Sequence, residues 1–185
     1  MAYKIAIIVG SLREGSINRK VARSICGLRG DNLDCSMIEI GDLPLYNQDL
    51  DANPPEQWVR FRRQIGEADG VLFCSPEYNR GIPGVLKNAI DVGSRPYGKS
   101  VWDGKPGGIV SVAPGAIGGF GANHHLRQSL VFLNVPCLQM PEAYIGDIAK
   151  RFDDQGVLSD QSTREFLQKF MNAYADWVER NAKIA

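Results

Sequence analysis

Five short apolar runs are spaced along the chain, and between them the apolar positions change to helical spacing. The first, Ile5-Ala6-Ile7-Ile8-Val9, breaks at Gly10 into a polar loop, and helical spacing follows from Ile17 through Val21, Ile25 and Leu28. Gly30-Asp31-Asn32 is a stop, after which Cys35–Ile40 alternates as a second strand. A long Asp/Asn/Pro-rich connection covers Gly41–Pro55, open to reading as a functional loop or as a packed surface loop. Pro55 suits the first turn of a helix striped by Trp58, Phe61, Ile65 and Ala68, with Arg60, Arg62 and Arg63 on a solvated face. Gly70–Ser75 is continuously apolar, as strands buried on both faces of a parallel sheet are. It runs into Pro76-Glu77-Tyr78-Asn79-Arg80-Gly81-Ile82-Pro83, and a helix carrying Val85, Leu86, Ala89 and Ile90 follows, with Gly93 loosening its end. Gly108–Val112 is a fourth strand and ends in the glycine-rich stretch 113–121. Leu126, Leu130 and Leu133 stripe the next helix, Pro136–Met140 reads as a fifth strand, and a last helix is predicted from about Thr163 to Ala182.

Strands alternating with helices imply right-handed crossovers and a doubly wound α/β sheet. The expected fold is a flavodoxin-like five-stranded parallel sheet in the order 2-1-3-4-5, with helices on both faces, as one domain over residues 1–185. In that order the loops after strands 1, 3 and 4 share one edge beside the topological switch point, where such sheets bind ligands.

The first loop suits a phosphate. A helix opening just after it aims free N–H groups and the positive dipole end at the loop, and Ser11, Arg13, Ser16 and Asn18 add donors. It lacks the Gly-x-Gly-x-x-Gly of a dinucleotide loop, and Ser16-Ile17 stand where a Walker A loop needs Lys-Ser/Thr. With no cysteine in the loop there is no phosphatase thiolate. What remains is a loop that holds a phosphate without reacting with it, or an ordinary turn whose serines cap the helix.

Composition narrows the partner. Twenty-one basic and 21 acidic residues cancel, so no field favours nucleic acid or an anionic membrane, and a small molecule is expected. No apolar run approaches the ~18 residues of a membrane span, and strand-like sequence begins by Tyr3, which reads as cytoplasmic. Cys26, Cys35, Cys74 and Cys137 lie far apart in sequence and read as reduced core thiols. His124 and His125 have no carboxylate at ligand spacing, so no metal site is expected.

Gly10-Ser11-Leu12-Arg13-Glu14-Gly15-Ser16-Ile17-Asn18, Pro76-Glu77-Tyr78-Asn79 and Gly115-Ala116-Ile117-Gly118-Gly119, in that order, resemble the NAD(P)H-dependent FMN reductase family. Pro83–Asp91 and His125-Leu126-Arg127-Gln128 bring the likeness to the bacterial quinone and chromate reductases. The resemblance implies bound FMN, with Ser11, Arg13, Ser16, Ile17 and Asn18 around its phosphate and Pro76, Glu77, Tyr78 and Asn79 along its ring. Glu77 has the rival role of a loop-organising carboxylate, and Tyr78 that of a core aromatic. Ser111 and Gly115 are further candidates, Ser111 because Val112-Ala113-Pro114 replaces a hydroxyl-rich stretch of the family. NADPH or NADH would reduce the flavin, and quinones, flavins, azo compounds or chromate would reoxidise it by a ping-pong route, with no obligate catalytic side chain. A flavodoxin-type electron carrier is the alternative. Arg95 and Lys99 are expected near the pocket mouth, as nicotinamide or acceptor contacts or as solvated charges. The subgroup's dimers pair into tetramers partly through an arginine, a tyrosine and a glutamate. Those positions fall at Gly121, His124 and Glu142, so a homodimer is expected more firmly than a tetramer.

Overall fold

The unbroken apolar runs become the middle of the sheet because there both faces of a strand are covered and every side chain is inside. In the computed structural model, which describes residues 2–182, the strands are β1 (Tyr3–Val9), β2 (Leu33–Ile38), β3 (Gly70–Ser75), β4 (Gly107–Val112) and β5 (Ala143–Ile145). All neighbours are parallel, in the expected order β2-β1-β3-β4-β5. Every residue of β3 and β4 is buried, while the edge strand β2 is only partly so.

Strand periodicity divides the apolar residues between two cores. Ile5, Ile7, Val9, Leu72, Cys74, Val110 and Val112 face α1 (Ile17–Gly27) and α5 (Gln161–Asn181). Ala6, Ile8, Val71, Phe73 and Ile109 face α2 (Glu56–Gly66), α3 (Gly84–Gly93) and α4 (Phe120–Phe132). Fully buried side chains such as Phe61 and Phe170 each contribute about 1.5–3 kcal/mol on burial. On α5 the Leu167-Met171-Tyr174-Val178 stripe is fully buried, whereas Phe166, Ala173 and Trp177 are half-buried. Glycines make room for bulk: a Cβ at Gly108 would lie 2.9 Å from the Tyr174 ring, and one at Gly93 2.6 Å from Trp102. Gly93 therefore serves to seat Trp102, whose indole N–H donates to the Ile90 carbonyl, rather than to loosen a helix end.

Two strand boundaries differ from the sequence reading. The fifth strand is Ala143–Ile145, paired with Val110–Val112, while Pro136–Met140 contributes one bridge, Gly107 with Cys137. Pro141 has no N–H with which to continue a ladder, so the apolar run ahead of it cannot extend into the sheet. β2 runs two residues earlier than expected and ends before Glu39, whose carboxylate accepts the N–H groups of Ile40 and Gly41 and turns the chain away.

The connection 41–55 is a packed strap. Asn88 on α3 accepts from the Tyr46 N–H at 2.8 Å and donates to the Leu43 and Pro44 carbonyls. The Trp58 indole donates to Pro44, and the Tyr46 hydroxyl to Asp51. Arg60 and Arg62 are correspondingly not free surface charges. Arg60 pairs twice with Asp42, and Arg62 lies over the Trp58 ring while bonding Asp51 and the Val92 carbonyl.

Candidate functional site

At the carboxyl edge of the sheet the first loop leaves β1 through Gly10, whose N–H still bonds the Cys74 carbonyl at 2.9 Å. A Cβ on Gly10 would lie 3.2 Å from both the Ser75 hydroxyl and Leu86, so the loop is pressed against the start of the second loop and against α3. Ser16 caps α1: its hydroxyl accepts from the Arg19 N–H at 3.2 Å. The N–H groups of Ile17 and Asn18, in the first turn, have no carbonyl four residues back within the helix. Ser11, Ser16 and Asn18 are all buried. Arg13 is exposed and forms no salt bridge among the described residues. The Asn18 side-chain oxygen is buried without a hydrogen-bond partner, a polar group left unsatisfied by the chain itself. Buried hydroxyls, helix N–H groups and one uncommitted arginine make a cradle suited to a phosphate.

The second loop is a tight reversal. Tyr78 and Gly81 exchange two backbone hydrogen bonds of 2.9 Å, with Asn79 and Arg80 both left-handed at φ 51° and 64°. That is the geometry of a type I′ turn, which asparagine tolerates and arginine adopts only when held. The holding comes from α4. Glu77, largely covered, accepts from the Ala122 N–H at 3.0 Å and pairs with Arg80 at 3.2 Å. The cap position of α4 is Gly119, which has no side chain to offer, so Glu77 caps that helix from another loop. One turn on, His125 Nδ1 accepts from the Ile82 N–H at 3.3 Å. Tyr78 is 51% exposed, so it is not a core aromatic and its ring is available to a ligand.

The third loop lies against the second at Gly119, where a Cβ would be 3.7 Å from that of Glu77. Gly118, at φ 63°, backs onto β5, where a Cβ would meet the Tyr144 carbonyl carbon at 2.6 Å. The Gly115 carbonyl accepts from Gly118, closing the loop, and Gly115 itself is exposed. Ser111 is placed differently from expectation. Its hydroxyl is fully buried and donates to the Gly118 carbonyl at 2.8 Å, so it fixes the loop from behind and does not face the edge. Asn123 joins this support, and Arg127 bonds both Asn123 and the Leu138 carbonyl. The Asn123–Arg127 pair, one helical turn apart on α4, is not among the sequence candidates; the i,i+4 spacing is the signal that could have found it.

Arg95 and Lys99 do not share this edge. α3 starts beside the second loop and runs back along the sheet, so the residues after it lie where β4 begins, with the Val101 N–H bonded to the Gly93 carbonyl. Arg95 lines a groove between α3 and α4 with Tyr46, Ser129 and Phe132. At the rim of the third loop His124 meets the Tyr144 hydroxyl at 3.1 Å, beside Phe120. Burial and the neighbouring Glu142 push the Tyr144 phenol up to about 12. Among the described residues no group of three or more His, Cys, Asp or Glu side chains could hold a metal ion.

Comparison with known proteins gives a consistent set of relatives. Residues 3–150 match the family profile described as NADPH-dependent FMN reductase. A quinone reductase of Pseudomonas putida is 61% identical over 183 residues, covering 98% of each chain. A 2-hydroxy-1,4-benzoquinone reductase of a Burkholderia species is 47% identical, covering 96% of this chain and 97% of the relative. Among solved structures, the flavoenzyme NAD(P)H:(acceptor) oxidoreductase FerB of Paracoccus denitrificans superposes with a TM-score of 0.93. It is 40% identical and is covered over its whole length by 98% of this chain.

Proposed function

Since the chain belongs to the NADPH-dependent FMN reductase family, we propose that the edge built from the loops at 10–18, 76–82 and 113–119 binds FMN and serves two-electron reduction of quinones by NADPH or NADH. Free flavins, azo compounds and metal oxyanions such as chromate are further acceptors of the same open edge. The observation that carries this reading is the unpartnered, buried side-chain oxygen of Asn18 in the first turn of α1.

FMN, the cofactor of the family, fits this edge on its donor set. A phosphate monoester with close to two negative charges meets the N–H groups of Ile17 and Asn18, the hydroxyls of Ser11 and Ser16, and the Arg13 guanidinium. Because an amide can present either end, Asn18 can donate to that phosphate or accept from a ribityl hydroxyl. Pro76, Tyr78 and Asn79 offer the ring a fixed backbone edge, held by Glu77 from behind. Gly115 lets the third loop approach closely. Bound FMN would supply the redox chemistry, accepting a hydride from a nicotinamide and passing two electrons to an acceptor, and the route we propose is ping-pong. The protein's own share is to bind, orient and leave one face of the flavin open; it contributes no obligate acid or base, with both histidines engaged in hydrogen bonds.

The working unit we propose is a cytoplasmic homodimer, which can pair further into a tetramer. Phe132, 89% exposed, lines the groove between α3 and α4, and Leu45 and Tyr97, 80% and 92% exposed, lie one and two residues along the chain from Tyr46 and Arg95, which also line it.

The test is a visible spectrum of protein reconstituted with FMN, taken anaerobically before and after NADPH or NADH. Bleaching of the band at about 450 nm without a partner protein is expected. Flavin that binds but is not bleached by either nucleotide would point to a carrier, and failure to bind flavin would overturn the assignment of all three loops. Parallel double-reciprocal plots with a benzoquinone acceptor are expected of ping-pong exchange; intersecting lines would exclude it.

A further inference from the structure

The sequence separates Cys26 and Cys35 by a helix end and a turn, but the fold brings them together. Cys26 lies in the last turn of α1, and Cys35 in the edge strand β2, in register with Ile5. Both are half-buried against the same core on one side of the sheet, near enough for the two thiols to act on each other. Arg29 bridges the two elements: its Nε donates to the Leu33 carbonyl at 3.0 Å and its Nη1 to the Cys26 carbonyl. A guanidinium held between the two elements that carry the thiols favours thiolate character, the form that reacts. Interaction with the Cys35 side chain, with the Arg29 charge behind it, holds the Cys26 thiol below the ordinary range, and the same interaction together with burial pushes Cys35 up. Cys74, by contrast, is wholly buried and pushed up by desolvation.

We propose that Cys26 and Cys35 are a redox-active dithiol, a modification site apart from the ligand-binding edge, which hydroperoxides convert to an intramolecular disulfide. The Cys26 thiolate attacks a peroxide oxygen; the O–O bond breaks, leaving a sulfenic acid on Cys26 and, with hydrogen peroxide, hydroxide, which takes a proton from solvent and leaves as water. The Cys35 sulfur then attacks the Cys26 sulfur; the S–S bond forms, the S–O bond breaks, and the leaving hydroxide takes the Cys35 proton as a second water. The two sulfurs lose two electrons and the peroxide gains them. Closure requires the sulfurs to approach to about 2.05 Å, a shift that the end of a helix and an edge strand can absorb.

The experiment uses FMN-loaded protein treated with hydrogen peroxide, blocked with N-ethylmaleimide and digested with trypsin, which cuts after Arg23, Arg29 and Arg60. Peptides 24–29 and 30–60 are expected to be joined, to separate on addition of dithiothreitol, and to leave Cys74 unmodified. In Cys35→Ser, Cys26 is expected to be trapped by dimedone as a sulfenic acid, with NADPH oxidation at the wild-type rate. Wild-type protein that keeps both thiols free under peroxide, or that accumulates oxidised Cys26 without the cross-link, would overturn the proposal.

Discussion

Replacing Glu77 with alanine removes two interactions from the centre of the site. The Ala122 N–H, in the first turn of α4, loses its partner, and Arg80 loses its carboxylate. A lost helix cap typically costs about 1 kcal/mol and a charge-assisted bond about 1.5–3 kcal/mol. The Arg80 pair adds only tenths of a kcal/mol, because the arginine side chain is 73% exposed. A total of about 2 kcal/mol lowers the melting temperature by about 4–8 °C in a chain of this size. FMN affinity falls as well, since the turn at Asn79 and Arg80 is then free to leave its left-handed conformation and the ligand must restore it. At about 1 kcal/mol of reordering the loss is about five- to tenfold. Glu77→Gln retains an oxygen for the Ala122 N–H and is expected to recover more than half of both effects. Thermal unfolding followed by circular dichroism and FMN titration followed by flavin fluorescence measure the two quantities. If Glu77→Ala melts within about 1 °C of wild type with unchanged affinity, or if Gln is as damaging as Ala, the cross-loop cap does not hold the turn.

Three other substitutions probe the same edge. Arg13→Ala removes an exposed charge with no ion pair among the described residues, so it is expected to weaken FMN about tenfold while leaving the melting temperature unchanged; an unchanged dissociation constant would remove Arg13 from the phosphate site. Asn18→Ala should show opposite signs in two assays. The apoprotein is expected to be unchanged or stabilised by up to about 1 kcal/mol, because an unpaired buried oxygen is lost, whereas FMN binding weakens; a destabilised apoprotein would mean that the amide serves the fold. Gly118→Ala puts a Cβ 2.6 Å from the Tyr144 carbonyl carbon at a left-handed position, and a loss of at least about 3 kcal/mol in urea unfolding is expected.

The parts legible in the sequence were those set by a strong period or by chirality. Continuous apolar runs marked β1, β3 and β4, right-handed crossovers set the strand order, and together they brought three loops to one edge. β5 was misplaced because a three-residue strand carries too little pattern to compete with the longer run at Pro136–Met140, and only the missing N–H of Pro141 distinguishes them. Arg95 and Lys99 were assigned to the wrong edge: they follow α3, and each crossover helix returns the chain to the opposite end of the sheet. Ser111 carries the right chemistry and faces the wrong way, which period two alone could not decide in a strand buried on both sides. The Cys26–Cys35 contact and the capping of α4 by Glu77 join residues whose proximity depends on tertiary packing, so neither had a local signature.

The two cores on either side of the sheet have a consequence for the lifetime of the protein. The phosphate cradle is rooted in the layer of α1 and α5, and the turn at 76–82 and the loop at 113–119 in the layer of α3 and α4. A ligand that touches both therefore acts as a further stitch between two layers packed on opposite faces of the sheet. At a hundredfold excess over its dissociation constant such a ligand adds about 2.7 kcal/mol against opening. Proteases act on the opened chain, so a cell short of flavin would clear this protein faster than one with flavin to spare, and its abundance would track the supply of the compound it carries.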